Sequence, residues 1–151
     1  MSGQTRPSNP VLRALRVAAI AALVAALAYQ AVGAAIFLPR FGSDDPREVV
    51  TAYYEAQRWG FRTIAERARY RAPNAVRGLH DDALFASGLE VSEAADTSLY
   101  GEHDEEVQFV VTYRSAWTDE VGNPPGKRHW FVYLGRDGDG PWQVLGAGTG
   151  P

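Results

Sequence analysis

Two short runs in this sequence place a histidine beside acidic residues, a combination found in metal sites. Residues 80–82 read HDD and residues 103–106 read HDEE. A metal site needs several imidazole or carboxylate ligands that converge at suitable spacings. Neither run is accompanied by a second set of ligands, and both fall where solvent-exposed loops are expected. The sequence therefore predicts no metal site and no cofactor.

Two further side chains stand where catalysis or binding could use them. His129 opens a predicted strand and is interpreted as a strand-end histidine, because a general base needs a partner that the sequence does not identify. Arg114, on the preceding strand, either pairs with an acid at the sheet edge or binds an anion. Residues 137–140 (DGDG) resemble part of a calcium loop without its closing glutamate, and a hairpin turn explains them. We therefore predict no catalytic residue.

Missing residue types exclude several kinds of chemistry. The chain contains no cysteine, which excludes disulfides, thiolate nucleophiles and zinc–thiolate sites. It also lacks a serine nucleophile elbow, a phosphate-binding glycine loop and a dinucleotide fingerprint. The part after Arg40 carries 11 basic and 18 acidic residues, a formal charge of -7. An acidic domain argues against nucleic acid as a partner.

Large aromatic side chains are the main candidates for a binding pocket. They could line a pocket for an apolar ligand. The sequence favours the other interpretation, in which they supply the hydrophobic core of a small domain. With the arginine named above, the candidates for ligand binding are Tyr53, Trp59, Phe109, Tyr113, Arg114 and Trp130.

Helical patterns fill the first part of the domain that would hold these residues. Asp45, Pro46 and Glu48 are the start signals of a helix: an N-cap, a proline at the first position and an acid at the third. Gly60 interrupts the pattern, which resumes and ends before Pro73. Residues 81–87 predict a further short helix, so two or three helices are expected.

Strand patterns follow the helices. Apolar and polar residues alternate most clearly over residues 105–117, where the side chains of Val107, Phe109, Val111 and Tyr113 are expected to share one face. The other predicted strands cover residues 89–99, 128–135 and 142–147. This order predicts an α+β domain in which helices pack on one face of a four-stranded antiparallel meander.

An uncharged apolar run over residues 17–38 precedes the domain and is long enough to cross roughly 30 Å of hydrocarbon. Arg6, Arg13 and Arg16 precede this run, and acidic residues begin only at Asp44. Basic residues that flank a transmembrane helix tend to stay in the cytoplasm. This charge asymmetry therefore predicts that the N-terminal end of the run is the cytoplasmic end. The sequence predicts a cytoplasmic tail at 1–16, a transmembrane helix at 17–38, a linker at 39–45 and an extracytoplasmic domain at 46–151.

Two other interpretations of the apolar run remain open. A cleaved signal peptide usually has an apolar region of roughly 7–15 residues, which is shorter than this run. Residues 32–34 (VGA) have the small residues of a cleavage site, although the run continues through Leu38. A buried core helix is the third interpretation. Length favours the uncleaved anchor.

The order of elements between residues 44 and 147 resembles the nuclear transport factor 2-like superfamily. The likeness rests on the opening helix (DPREVVTAYYEAQRWG), on a second amphipathic helix and on curved strands that end in GPWQVLGAGTGP. That superfamily includes ketosteroid isomerases, SnoaL-like polyketide cyclases and domains exported behind a single transmembrane helix. The resemblance implies a cone-like sheet around the long helix, with a pocket at its open end. Such a fold hosts enzymes and binding modules alike.

Together these features predict a membrane-anchored, non-enzymatic domain with an interaction or accessory role in the cell envelope. The anchor, the acidic exported domain and the lack of an acid–base constellation motivate this prediction. Its expected partners are membrane lipid, through residues 17–38, and another membrane protein of the envelope. The alternative, implied by the resemblance, is a small-molecule-binding or isomerase/cyclase-like domain that uses the cone pocket.

Overall fold

The protein combines a long N-terminal helix with short helices and an antiparallel sheet, as shown by a computed structural model that describes residues 10–70, 83–116 and 125–149. The chain divides into two units, Met1–Val32 and Gly33–Pro151. The helices are α1 (Pro10–Phe37), α2 (Pro46–Arg58) and α3 (Arg62–Ala65), with 3-10 turns at Arg40–Gly42 and Glu66–Ala68. The strands are β1 (Ser87–Val91), β2 (Ala95–Asp96), β3 (Glu105–Ser115), β4 (Gly126–Arg136) and β5 (Gln143–Gly148).

In its described part the first unit consists of helix α1 up to Val32. Its large aliphatic side chains are 50–64% exposed; they are Val11, Leu12, Leu15, Val17, Ile20, Leu23, Val24, Leu27 and Val32. The helix is long and apolar enough to cross a membrane, a property that signal sequences share.

Helix α2 begins where the sequence predicts. The Asp45 side chain accepts a hydrogen bond from the backbone N–H of Arg47 at 2.8 Å, and Pro46 occupies the first turn. The carboxylate of Glu48, in the same turn, accepts a hydrogen bond from the Ser43 hydroxyl at 2.7 Å. The Asp45 side chain satisfies one of the unpaired N–H groups of the helix start, and the negative charge of Glu48 compensates their partial positive charge. The predicted N-cap and the proline that follows it are confirmed.

Gly60 interrupts the helical segment between α2 and α3, as the sequence predicts. Its φ angle of +78° lies in the left-handed region that glycine adopts most easily. The backbone N–H of Phe61 bonds to the carbonyl of Ala56 at 2.8 Å across this turn. Helix α3 and its 3-10 turn then continue to Ala68, whereas Pro73 lies outside the described residues.

The segment predicted as a linker, residues 39–45, is part of the second unit and packs against its helices and sheet. Phe41, in the middle of its 3-10 turn, is buried in the core. The Arg40 guanidinium pairs with the carboxylate of Glu55 at 2.6 Å and lies 3.5 Å from that of Glu48. The carbonyl of Asp44 accepts a hydrogen bond from the indole N–H of Trp142 at 3.0 Å. These contacts attach the segment to α2 and to the last hairpin.

The sheet has the strand order β1-β3-β4-β5, and β2 also pairs with β3. Strands β3 and β4 pair without interruption from Glu105 opposite Arg136 to Ser115 opposite Gly126. Because side chains alternate between the faces of a sheet, one face is apolar and packs with α2 to form the core. We call this the inner face; its side chains include Phe109, Val111, Tyr113, Trp130, Val132, Leu134 and Val144. The predicted alternation is confirmed over Glu105–Ser115, whereas Trp117, which is predicted to share the inner face, lies outside the described residues.

Two predictions for the region before β3 are wrong. The described part of the helix predicted at residues 81–87 is not helical: residues 83–85 form a turn, Phe85 has a φ of +56°, and β1 begins at Ser87. The strand predicted at residues 89–99 is divided, because β1 ends at Val91 before the short β2 begins. Both pieces pair with β3, so tertiary pairing overrides the local pattern here.

Candidate functional site

Four of the six predicted pocket residues lie in the hydrophobic core. Tyr53, Phe109, Tyr113 and Trp130 are 1–5% exposed. The indole N–H of Trp130 donates to the Tyr113 hydroxyl at 2.9 Å, and the Tyr113 ring packs against Tyr54 with centroids 5.7 Å apart. Buried tyrosine and tryptophan usually need such a partner for their polar atoms. The structure places these four side chains in one hydrophobic core, and ligand binding by them stays a prediction.

The other two candidates lie on the surface, in different places. Trp59 follows α2 directly and is 54% exposed, with the guanidinium carbon of Arg58 5.4 Å from its ring centroid. Arg114 is exposed on the outer face of the sheet, where it and Lys127 line a shallow depression that Tyr113 also borders. The six candidates therefore do not form one pocket.

A larger groove, of about 660 Å³, lies between helix α2 and strand β1. Its lining residues are Arg47, Thr51, Glu55, Arg58, Gly88, Leu89, Glu90 and Val91. The Arg47 guanidinium links the two elements by donating to the carbonyl of Val91 at 2.7 Å, and it pairs with Glu93 at 3.0 Å. Small-molecule pockets are lined mainly by apolar side chains. The charged lining of this α2–β1 groove suits a polar partner surface better.

Two residues with exposed aromatic side chains adjoin Arg58, which lines this groove: Trp59 follows it in the chain, and Phe85 contacts it through the backbone. Trp59 is 54% exposed and Phe85 is 68% exposed. The backbone N–H of Phe85 donates to the carbonyl of Arg58 at 3.0 Å, which holds the turn carrying Phe85 at the end of α2. Aromatic and arginine side chains are enriched at protein interfaces. We call Arg58, Trp59 and Phe85 the aromatic rim.

The HDEE run, which leads into β3 at Glu105, makes contacts within the protein. The side chain of His103 is 5% exposed, and its Nδ1 lies 3.1 Å from the carboxylate of Asp137. The same carboxylate accepts a hydrogen bond from the backbone N–H of Asp104 at 3.3 Å. Within residues 10–70, 83–116 and 125–149, no group of three or more histidines and acids is arranged to hold a metal ion. Residues 80–82 lie outside these ranges.

Residues 97–104, which we call the strap, pack against the outer face of the sheet. The Glu106 carboxylate accepts hydrogen bonds from the backbone N–H groups of Tyr100 and Glu102, at 3.0 and 3.2 Å. The Tyr100 ring packs edge-on against Tyr133, with centroids 5.7 Å apart. Burial raises the pKa of the Tyr100 phenol above its ordinary value of 10.0, and the nearby Tyr133 and Glu106 raise it further.

Two glycines make room for the strap. A Cβ atom on Gly146 would collide with the Tyr100 hydroxyl, and one on Gly135 would lie 2.7 Å from the His103 ring. Sequence reasoning missed this arrangement. The available signal was glycine inside two strand patterns, which often marks the close approach of another group.

In comparisons with known proteins, no family model, no curated protein and no solved structure matches this chain. The structure establishes an α+β arrangement behind a long apolar helix, with an antiparallel sheet. The nuclear transport factor 2-like cone stays a prediction, as does the small-molecule or isomerase/cyclase-like function that depends on its pocket.

Proposed function

We propose that this protein is a membrane-anchored, non-enzymatic domain that contacts a partner in the cell envelope, outside the cytoplasm. The observation that carries the proposal is the exposure of the aliphatic side chains along α1 from Val11 to Val32. Moving one such side chain from water to an apolar environment is favourable by roughly 1.5–3 kcal/mol. A bilayer supplies that environment, and a helix satisfies its own backbone hydrogen bonds there.

The end of α1 supports an anchor that stays attached. Gly33 and Phe37 are buried within the second unit, where a Cβ on Gly33 would collide with the ring of Phe61. Cleavage at residues 32–34 would remove the helical turn that leads into Phe37. Because the core of the second unit includes residues of the apolar run, an intact chain accounts for this packing and a cleaved signal does not.

The charges on either side of the apolar run support the orientation. Arg13 and Arg16 lie in the first turns of α1 and are exposed. All 18 acidic residues lie at or after Asp44. By the positive-inside rule, the N-terminus is cytoplasmic and the α+β domain is outside.

The aromatic rim supports the interaction role. Tryptophan and arginine are over-represented among the side chains that dominate binding energy at interfaces. Arg58, Trp59 and Phe85 present such a group beside the charged α2–β1 groove. We propose that another membrane protein of the envelope contacts this surface.

The lack of cysteine allows a clean test of the topology. In Ser8→Cys and Ser98→Cys variants of the full chain, a membrane-impermeant maleimide should label only position 98 in intact cells. Both positions should be labelled after the membrane is opened. Labelling at position 8 in intact cells would contradict the orientation, and recovery of the Ser98→Cys protein in the soluble fraction would contradict the anchor.

A further inference from the structure

At the end of the sheet where Ser87, Arg114 and Lys127 lie, the outer face carries two rows of polar side chains. In the first row, Ser87 pairs in register with Arg114, which pairs with Lys127 on the next strand. Residues 90, 112 and 129 form the second row. Rows two residues apart on a strand lie about 7 Å apart. The first row therefore presents two cations and a hydroxyl, and no acid.

The pairing of Arg114 with Lys127 is unfavourable by itself. Like charges directly opposite each other on neighbouring strands destabilise a sheet. Among the residues that the structure describes, neither cation has an acidic partner within ion-pair distance. They stand together in a part of the chain whose formal charge is -7, where acids are plentiful. An anion bound between them would attract both cations, and this attraction would offset the repulsion of one cation by the other.

The backbone beside Arg114 is irregular in a way that opens space. The register of β1 shifts between Ser87 and Glu90, so Gly88 and Leu89 stand opposite Tyr113 alone. Gly88 has a φ of +62°, and a Cβ there would meet nothing within 4 Å. Bulges of this kind often lie next to functional sites and re-aim neighbouring side chains.

The resulting depression has a volume of about 270 Å³. It is lined by Ser87, Gly88, Glu90, Thr112, Tyr113, Arg114 and Lys127. The Glu90 carboxylate lies in the second row, where it accepts a hydrogen bond from the Thr112 hydroxyl at 3.4 Å. It faces the same depression as the two cations, so it weakens the attraction for an anion without cancelling it.

We propose that this depression binds an oxyanion of the phosphate class between Arg114 and Lys127. The planar guanidinium donates two parallel hydrogen bonds to such a group, the ammonium supplies a compact second charge, and the Ser87 hydroxyl is a further donor in the same row. The site is distinct from the aromatic rim and does not depend on the anchor.

The test uses the full chain in a non-ionic detergent, titrated with inorganic phosphate at constant ionic strength in chloride. Arg114→Gln and Lys127→Gln should each weaken phosphate binding about threefold to tenfold, in line with exposed and partly exposed charge-assisted contacts. Arg67→Gln is the matched control: it removes one exposed positive charge elsewhere and should leave binding unchanged. Glu90→Gln should tighten binding, because it removes a carboxylate that, among the described residues, is the one acid lining the depression.

Two outcomes would overturn the proposal. One is a wild-type chain that phosphate affects no more than chloride does; the other is an equal loss in the Arg67→Gln control. Unchanged circular dichroism of each variant without phosphate shows that the fold is intact. If glycerophosphoglycerol competes with inorganic phosphate, the site is supported and its natural ligand is assigned as a lipid headgroup. If inorganic phosphate binds and glycerophosphoglycerol does not compete with it, the site is supported and its natural ligand is assigned as free phosphate.

Discussion

Phe37, in the last turn of α1, packs its ring against Phe61, which precedes α3, with ring centroids 5.7 Å apart. Both side chains are buried, at 4% and 5% exposure. The hydrophobic core of the second unit therefore includes residues from the apolar run that the sequence assigns to the membrane. This contact marks where the proposed anchor ends and the domain begins.

Gly33 should be required for that contact. A Gly33→Ala change should lower the free energy of unfolding by about 1–3 kcal/mol, because the new methyl group would overlap the Phe61 ring. Alanine in place of glycine otherwise favours a helix by about 1 kcal/mol, so a loss would identify the clash. Gly42→Ala is the control, since a Cβ there meets nothing within 4 Å. Denaturant unfolding of both full-length variants in detergent measures the difference; equal stabilities would contradict the packing.

The strap should depend on Gly146 through the Tyr100 hydroxyl. Gly146→Ala should destabilise the protein by about 1–3 kcal/mol, because its Cβ would meet that hydroxyl. Tyr100→Phe removes the colliding oxygen, so Gly146→Ala should cost less in that background. A double-mutant cycle of unfolding free energies checks this coupling. Additive effects of the two changes would show that the strap does not pack there.

The raised pKa of Tyr100 should appear in the pH dependence of stability. In the unfolded chain the phenol loses its proton near its ordinary pKa of 10.0, whereas the folded protein holds the proton to higher pH. The contribution of this phenol to the free energy of unfolding is therefore complete below pH 10, and it is lost as the pH rises through the pKa of the folded state. The free energy of unfolding should fall less steeply above pH 10 in Tyr100→Phe than in the wild type. Parallel curves would contradict the partial burial of this phenol.

The aromatic rim should carry binding to the proposed membrane partner. Trp59→Ala and Phe85→Ala should each weaken that association about tenfold, as truncation of a central interface side chain does. Leu99→Ala is the control, because Leu99 is a similarly exposed apolar side chain, at 59%, outside the rim. Crosslinking yield in native membranes, measured for all three variants, tests the assignment. Equal yields would remove the rim from the interface.

Local signals were predicted well from the sequence. Asp45 and Pro46 define the start of α2 because capping depends on neighbouring residues only. Gly60 and the alternation of β3 are local in the same sense. The aromatic candidates Phe109 and Tyr113 proved to be core side chains, the interpretation that the sequence favoured.

Contacts between distant residues could not be predicted. The strap depends on Gly135 and Gly146, which are far from Tyr100 in the chain and look like ordinary strand glycines. The turn at residues 83–85 has a helical pattern, but pairing of the following strand with β3 decides its conformation. The opposition of Arg114 and Lys127 depends on the register of β3 and β4, which the connecting loop does not reveal.

The membrane anchor is tested most directly by the intact mass of the protein that is expressed from this sequence and recovered from membranes washed with alkaline carbonate. An uncleaved anchor predicts a chain in the membrane pellet with the mass of residues 1–151, 16.5 kDa apart from any loss of the initiator methionine. A chain released into the supernatant, or one that lacks the residues up to the 32–34 segment, would contradict the membrane anchor.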